Sequence, residues 1–342
     1  MQPLAAQPAI NQNLASVSDG LIIAMIVCYA VALFLFAIEA AYGRRERLQA
    51  ERSAVPTGGA TAGAGEGDIA TLGRDSGAVK VKVRGERGDA KAPRHVLGAV
   101  ALVVTVVAFV LNAAQVVTRG LAADRWPWGN MFEFVVAICL CAVGAFLFAA
   151  LRYKARYLGT FVLVPVLLLL GIAARWLYSE AGPLIPALHS YWIAIHVSAA
   201  IIATGAFLVA GSAAITYLLS SRTEAKRARG EQVTGIAARL PSPELLDRLS
   251  HRFILFAFPL WTFAIIAGAV WADEAWGRFW GWDPKEVWSF ITWVVYAAYL
   301  HARATAGWRG SKATWIGLVG FACLLFNFFA VNYIFSGLHS YA

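Results

Sequence analysis

The residues of this 342-residue chain best suited to chemistry are its six histidines and one run of tryptophans. Residues 276–288 read WGRFWGWDPKEVW, so Trp276, Trp280, Trp282 and Trp288 share a short stretch with Arg278, Asp283, Lys285 and Glu286. Indole faces concentrated beside charge make a wall for a large, flat, apolar ligand with polar groups at its rim. A porphyrin, a quinone and a lipid all answer that description. His196, in YWIAIHV, and His339, in GLHSYA, fall at the same end of the apolar segments as the tryptophan run. Two neutral imidazoles from different helices can approach one iron from opposite faces, as in bis-histidine haem sites; the alternative is two interfacial histidines. His301, in YAAYLHAR, follows Asp283 by 18 residues, about 27 Å along a helix, and so belongs to neither that pair nor that level. It is either an interfacial side chain near Arg303 or a ligand whose companion comes from another polypeptide, because no other histidine lies well inside a segment at its depth. His95 and His251 stand next to Arg94 and Arg252 and read as snorkelling interfacial residues.

The remaining polar candidates are fewer. Arg278 and Lys285 suit the anionic edge of a flat ligand, such as haem propionates, or equally a pairing with Asp283 and Glu286. In WPWGNMFEF, Asn130 is expected to cap a helix with Glu133 in its first turn. Asn327 and Asn332 are candidates for hydrogen bonds between helices. Cys28, Cys139, Cys141 and Cys323 all lie inside apolar segments with no C-x-x-C pair, which excludes a thiol reductant and leaves them as small buried hydrophobes.

The elements that must position these residues are membrane helices. Hydrophobic residues make up 59% of the chain and charged residues 14%, the balance of a membrane bundle rather than of a soluble domain. Eight stretches approach the roughly 20 apolar residues that span a bilayer: 21–41, 96–117, 130–151, 157–177, 191–219, 253–273, 286–304 and 313–335. None alternates like a barrel strand, so the expected fold is an all-α integral membrane protein of about eight transmembrane helices. Of the 29 Lys and Arg residues, 24 fall in the connections 42–94, 152–156, 220–252 and 302–312. The positive-inside rule makes those connections cytoplasmic, with both termini and the tryptophan run extracytoplasmic. The net charge of +9 is thereby a topology signal, and nucleic acid is not an expected partner. Positive residues follow the first apolar run instead of preceding it, so residues 1–41 read as a tail and a permanent first span, not a cleaved signal. Residues 42–95 form a Gly- and Ala-rich linker, expected to be disordered on the cytoplasmic side. The third division, 96–342, carries every candidate site. Within it, LPSPELLDRLSHRF reads as a brief interfacial helix capped at Ser242.

The stretch WGRFWGWDPKEVWSFITWVVYAAYLHAR, together with NMFEF at 130–134, YWIAIHV at 191–197 and NYIFSGLHSY at 332–341, resembles the tryptophan-rich "WWD" haem-handling family of cytochrome c biogenesis. It is closest in pattern to the CcsA (ResC) branch, the membrane subunit of the system II cytochrome c synthase. The resemblance spans about residues 96–342 and implies a concrete scheme. Haem b enters from the cytoplasmic side of a bacterial plasma membrane and is held by His301, with a second ligand from a CcsB (ResB) partner. It then moves to the extracytoplasmic WWD surface between His196 and His339. There Trp276, Trp280, Trp282, Trp288 and Asp283 form the platform for thioether attachment to the CXXCH motif of apocytochrome c. This would make the chain a haem lyase subunit. His189 is an extra histidine near His196; the spacing from Trp192 favours His196. The rival readings are a system I haem-delivery protein of the CcmC or CcmF kind, and a quinone- or lipid-binding transporter.

Overall fold

The computed structural model describes residues 10–42, 94–183, 190–234, 237 and 240–339. The linker expected over 42–95 falls almost wholly outside these residues, as does His189. The described chain is helical, without a strand. In order the helices are α1 (Gln12–Tyr42), α2 (Arg94–Ala122), α3 (Met131–Arg152), α4 (Gly159–Ile172), α5 (Tyr191–Ala228), α6 (Pro243–Trp276), α7 (Pro284–Thr305) and α8 (Ser311–Leu325). A 3-10 turn (Arg156–Leu158) leads into α4 and a π-helical turn (Ala173–Leu177) extends it. A second π turn (Phe326–Ala330) joins α8 to a last helical turn, α9 (Val331–Ile334).

Each of the eight expected segments coincides with one of these helices, and seven are long and apolar enough to cross a membrane. The eighth, α7, is a 22-residue helix whose Trp, Tyr, Ser and Thr content and charged ends make it less apolar. The protein is an all-α, multi-pass membrane protein, as its composition predicts. Two boundaries differ from expectation. Helix α1 begins at Gln12, well before residue 21. No separate interfacial helix forms after Ser242, because Pro243 occupies the first position of a 34-residue α6 that runs without interruption to Trp276. Proline there lacks only an amide that a helix start leaves unbonded anyway.

Helix α5 is the most enclosed of the set, packing along α6 and against α3 and α8. Its close approach to α3 needs Gly205, where a Cβ would lie 2.7 Å from the Ala142 backbone nitrogen. Without a hydrophobic driving force between spans, such small-residue contacts and buried hydrogen bonds hold helices together. Helices α1 and α2 show the second device: Gln115 Nε2 donates to Ser18 Oγ at 3.2 Å, and Asn112 Nδ2 to the Tyr29 hydroxyl at 3.4 Å.

Hydrogen bonds between loops assign the helix ends to two levels. Ala122 accepts from Asn11, Arg125 donates to the Gly182 carbonyl, Ser190 bonds Glu274, and Leu338 donates to Asp283. These contacts define a tryptophan end. At the far end, Arg303 pairs with Asp247 and Tyr217 meets Ser311. The basic connections 152–156, 220–252 and 302–312 belong to this far end.

Candidate functional site

The turn between α6 and α7 is built from the tryptophan run itself. Gly277 ends α6 in the left-handed conformation (φ +69°) that a side chain would strain, and its amide bonds Asp273 at 2.8 Å. Asp283 then caps α7 with Pro284 at the first position. Glu286 completes the reciprocal cap by accepting from the Asp283 amide at 3.0 Å and the Gly281 amide at 2.8 Å. Trp282 holds a positive φ of +58° in this turn, costly for a bulky residue, and projects its indole outward, 69% exposed.

The loop before α3 is fixed as firmly. Asn130 Oδ1 accepts from the Glu133 amide at 2.9 Å, the expected cap. The Glu133 carboxylate, 3% exposed, accepts from Arg125 at 2.7 and 3.0 Å, from Arg119 at 3.2 Å and from the Gly129 amide at 2.8 Å. Glu133 thus anchors the WPWGN loop and does not reach the tryptophan run.

Between these two turns and the helices behind them lies a mostly apolar cavity of about 140 Å³, open on one side. His196 from α5 and His339 from the segment after α9 both line it. The His196 ring is pinned through Nδ1, 2.6 Å from the Ala264 carbonyl of α6. A carbonyl can only accept, so Nδ1 carries the proton and Nε2 keeps its lone pair. Gly268, one turn further along α6, provides the room: a Cβ there would lie 2.7 Å from the imidazole. His339 is pinned in the same manner, with Nδ1 2.9 Å from Asp283 Oδ1. Asp283 also accepts from the Leu338 amide at 2.7 Å and the Lys285 amide at 3.2 Å. Partial burial by itself would raise the Asp283 pKa; the bonds from His339, Leu338 and Lys285 outweigh it and hold the pKa at about 2. This carboxylate is therefore charged throughout the neutral range, and it orients the second histidine.

Of the four tryptophans of the run, Trp280 lines the cavity and Trp276 packs edge-on to His339, with ring centres 4.9 Å apart. Trp288 faces elsewhere, against Phe326 at 4.2 Å. The indole standing beside both histidines is Trp271, 1% exposed, which stacks 6.1 Å from His196 and meets His339 edge-on at 5.6 Å. Trp271, Trp261 and Trp128 all line the cavity, and none was singled out from sequence. Trp261 and Trp271 lie on α6 and Trp128 on the loop before α3, and only the helix packing gathers them. Lys285 lines the cavity, and its ammonium donates to Asn332 Oδ1 at 2.7 Å. Arg278 instead pairs with Glu286 at 3.0 Å. Phe279, 59% exposed, borders the cavity and marks its mouth.

His301 is at the far end of α7 and exposed, away from this cavity. On the same helix Leu300, Arg303 and Ala304 border a second hollow with His251 and Arg248. His251 Nδ1 lies 3.4 Å from the Tyr299 hydroxyl. Among the described residues no cluster of three or more His, Cys, Asp or Glu forms a metal site.

The family of the cytochrome C assembly protein matches residues 128–339, a region holding every cavity residue named above. A cytochrome c biogenesis protein CcsA of Gloeobacter violaceus is 34% identical over 271 residues, covering 65% of this chain and 80% of that protein. CcsA of Guillardia theta is 36% identical over 242 residues (66% and 79%), and that of Synechococcus elongatus 35% over 269 (67% and 83%). The solved structure of a cytochrome c haem lyase, CcmF, superposes with a TM-score of 0.55 at 17% identity and covers 96% of this chain. The chain spans about half, 48%, of that larger protein, and the likeness is one of fold. Over most of its length, then, the chain belongs to the cytochrome c assembly protein family, alongside the CcsA proteins.

Proposed function

We propose that this protein carries haem to the tryptophan end and presents it there for thioether attachment to the CXXCH motif of an apocytochrome c, as the membrane subunit of a system II synthase. The observation that carries this reading is the pair His196 and His339 on one apolar cavity, each ring fixed through Nδ1. Fixed imidazoles that present Nε2 suit axial ligation of an iron. Haem b is the substrate here. Its attachment adds a cysteine S–H across each vinyl group, sulfur to one carbon and hydrogen to the other, so nothing is released and no electrons are exchanged. The protein's part is orientation and proximity, worth several kcal/mol of barrier, together with axial ligation that sets the redox state of the iron. Asp283 positions His339, Lys285 faces the propionates, and Trp280, Trp282 and Phe279 present the mouth to the apocytochrome.

The basic connections at the far end are cytoplasmic in this proposal, and the tryptophan end is extracytoplasmic, in a bacterial plasma membrane. Exposed His301 serves the inner haem site, with its second ligand from a CcsB-type partner. Replacing His196 or His339 with alanine should abolish holocytochrome formation while membrane insertion stays normal. Full activity of the double variant would refute the assignment. Alanine at His301 should lower co-purified haem, read from the Soret band; unchanged haem would remove the inner site.

A further inference from the structure

The second hollow, at the end that carries the basic connections, is not used by the proposed chemistry. It measures about 700 Å³ and is open on one side, within the roughly 300–1,000 Å³ of ligand sites. Tyr217 of α5, the first turns of α6, the last turns of α7 and the Arg309–Gly310 turn before α8 enclose it.

Its charges do not cancel. Arg303 donates to both oxygens of Asp247, at 2.7 and 3.0 Å, and to the Tyr299 hydroxyl at 3.3 Å. That mostly buried pair neutralises one acid of the wall. The other acid, Glu244, stands in the first turn of α6, where a helix end favours negative charge. Arg248 and Arg309 also line the hollow, and among the described residues neither forms an ion pair. They come from different elements. Arg248 rides on α6, whereas Arg309 sits in a turn shaped by Gly307 and Gly310, at φ +61° and +66°. The Trp308 amide ties that turn to the Ala302 carbonyl at 3.2 Å.

The hollow is also graded in depth. Leu255 follows Arg248 by seven residues and Leu300 precedes Arg303 by three, about 10 and 5 Å along their helices. Helix α6 leaves this end and α7 arrives at it, so both leucines lie deeper in the bundle than the arginines. Both line the hollow, and Leu255 is half exposed. A cationic rim thus stands above an apolar floor, which is the outline of an anionic amphiphile.

We infer that this hollow seats an anionic phospholipid, its phosphodiester gripped by Arg248 and Arg309 and the start of its acyl chains lying along Leu255 and Leu300. Guanidinium groups hold phosphate oxygens in pairs, and basic pockets between spans bind such headgroups. A soluble anion gains nothing from the leucines, and a zwitterionic lipid brings its own ammonium against two arginines. The seat lies at the opposite end of the bundle from the histidine pair, so it stands or falls independently of the haem reading. A lipid held there ties the start of α6 to the turn between α7 and α8.

The test is the binding of a chain-labelled phosphatidylglycerol to the full-length protein in neutral detergent micelles, followed by fluorescence polarisation. Binding should saturate at one lipid per protein and be about tenfold tighter than that of phosphatidylcholine with the same label. Each arginine near a headgroup is worth about a factor of five, so Arg248→Gln/Arg309→Gln should bind about twentyfold more weakly. Arg248→Lys/Arg309→Lys, which keeps both charges, should stay within about threefold of the parent and reports that the fold tolerates replacement of these side chains. Arg222→Gln/Lys226→Gln, which removes the same charge from the same end outside the hollow, should bind as the parent does. Equal affinity for the two lipids, or equal loss in this last variant, overturns the seat and leaves only the net charge of that end. Equal loss in the lysine and glutamine variants overturns the reading of the phosphate by charge. Displacement of the label by millimolar inorganic phosphate, or by equimolar haem, overturns the lipid in favour of a soluble anion or of haem.

Discussion

At the scale of single residues, the site is a matter of which nitrogen is occupied. His196 gives its Nδ1 to a backbone carbonyl and His339 gives its own to a carboxylate; a second hydrogen bond of this kind fixes the tautomer and stiffens the ring. Asp283, the acid of the tryptophan run, holds His339, Leu338 and the first turn of α7 at once. Its pKa of about 2 lies below the ordinary 3.8, which fixes the sign of the pH dependence. Docking of the His339 segment is complete above about pH 4 and is lost as pH falls through 2, so it is constant across the neutral range. Asp283→Asn removes the charge, and protection of the Leu338 amide from hydrogen exchange should fall about tenfold at pH 7, a charge-assisted bond being worth about 1.5–3 kcal/mol. Unchanged protection would show that the segment is held by something else.

At the scale of elements, the loop before α3 is governed by a buried carboxylate between two arginines. Glu133 is 3% and Arg119 1% exposed, and removing one partner of such a pair strands the other charges at about 3–5 kcal/mol. Glu133→Ala should lower stability on that scale and release the WPWGN loop, which a fall in thermal midpoint and increased proteolysis near residue 126 would register; a thermal midpoint within one degree of the parent would contradict it. The Asn130 cap and the place of Glu133 in the first turn were legible in the sequence because both are local. The long-range arginine clamp was not, since Arg119 closes it from the previous helix. The same distinction explains Trp271. The density of indoles lies at 276–288, yet the residue next to both histidines is Trp271 on α6, at a position only helix packing reveals. Gly268 was equally silent, because a residue that works by having no side chain leaves no pattern. The continuity of α6 was not legible either: the sequence offered a brief helix from Ser242 and a separate span from 253, and the structure runs the two together as one helix.

At the scale of the whole molecule, hydropathy set out the eight helices, including α7, whose apolar content is the weakest. It did so because backbone groups in lipid must bond within their own segment, so long apolar runs have no choice but helix. The gathering of the basic connections at one end follows from the even alternation of helix directions. A single cysteine introduced at Arg309 should therefore be labelled by an impermeant thiol reagent only after the cytoplasmic side is opened. One at Phe279 should be labelled in intact cells. The reverse pattern would invert the topology and with it the proposed direction of haem movement.

The two histidine supports differ in kind. His196 lies in the second turn of a 38-residue helix and is pinned to the backbone of another, so moving it means moving packed helices. His339 follows α9 by a few residues and is pinned to one side chain. Short segments open locally at far lower free energy than packed helices. If the pair grips an iron as proposed, the grip would join an anvil to a latch: His196 would hold position while His339, on its short segment, would be the side able to let go. A conjugated haem would then need only the latch to open, without rearrangement of the packed helices.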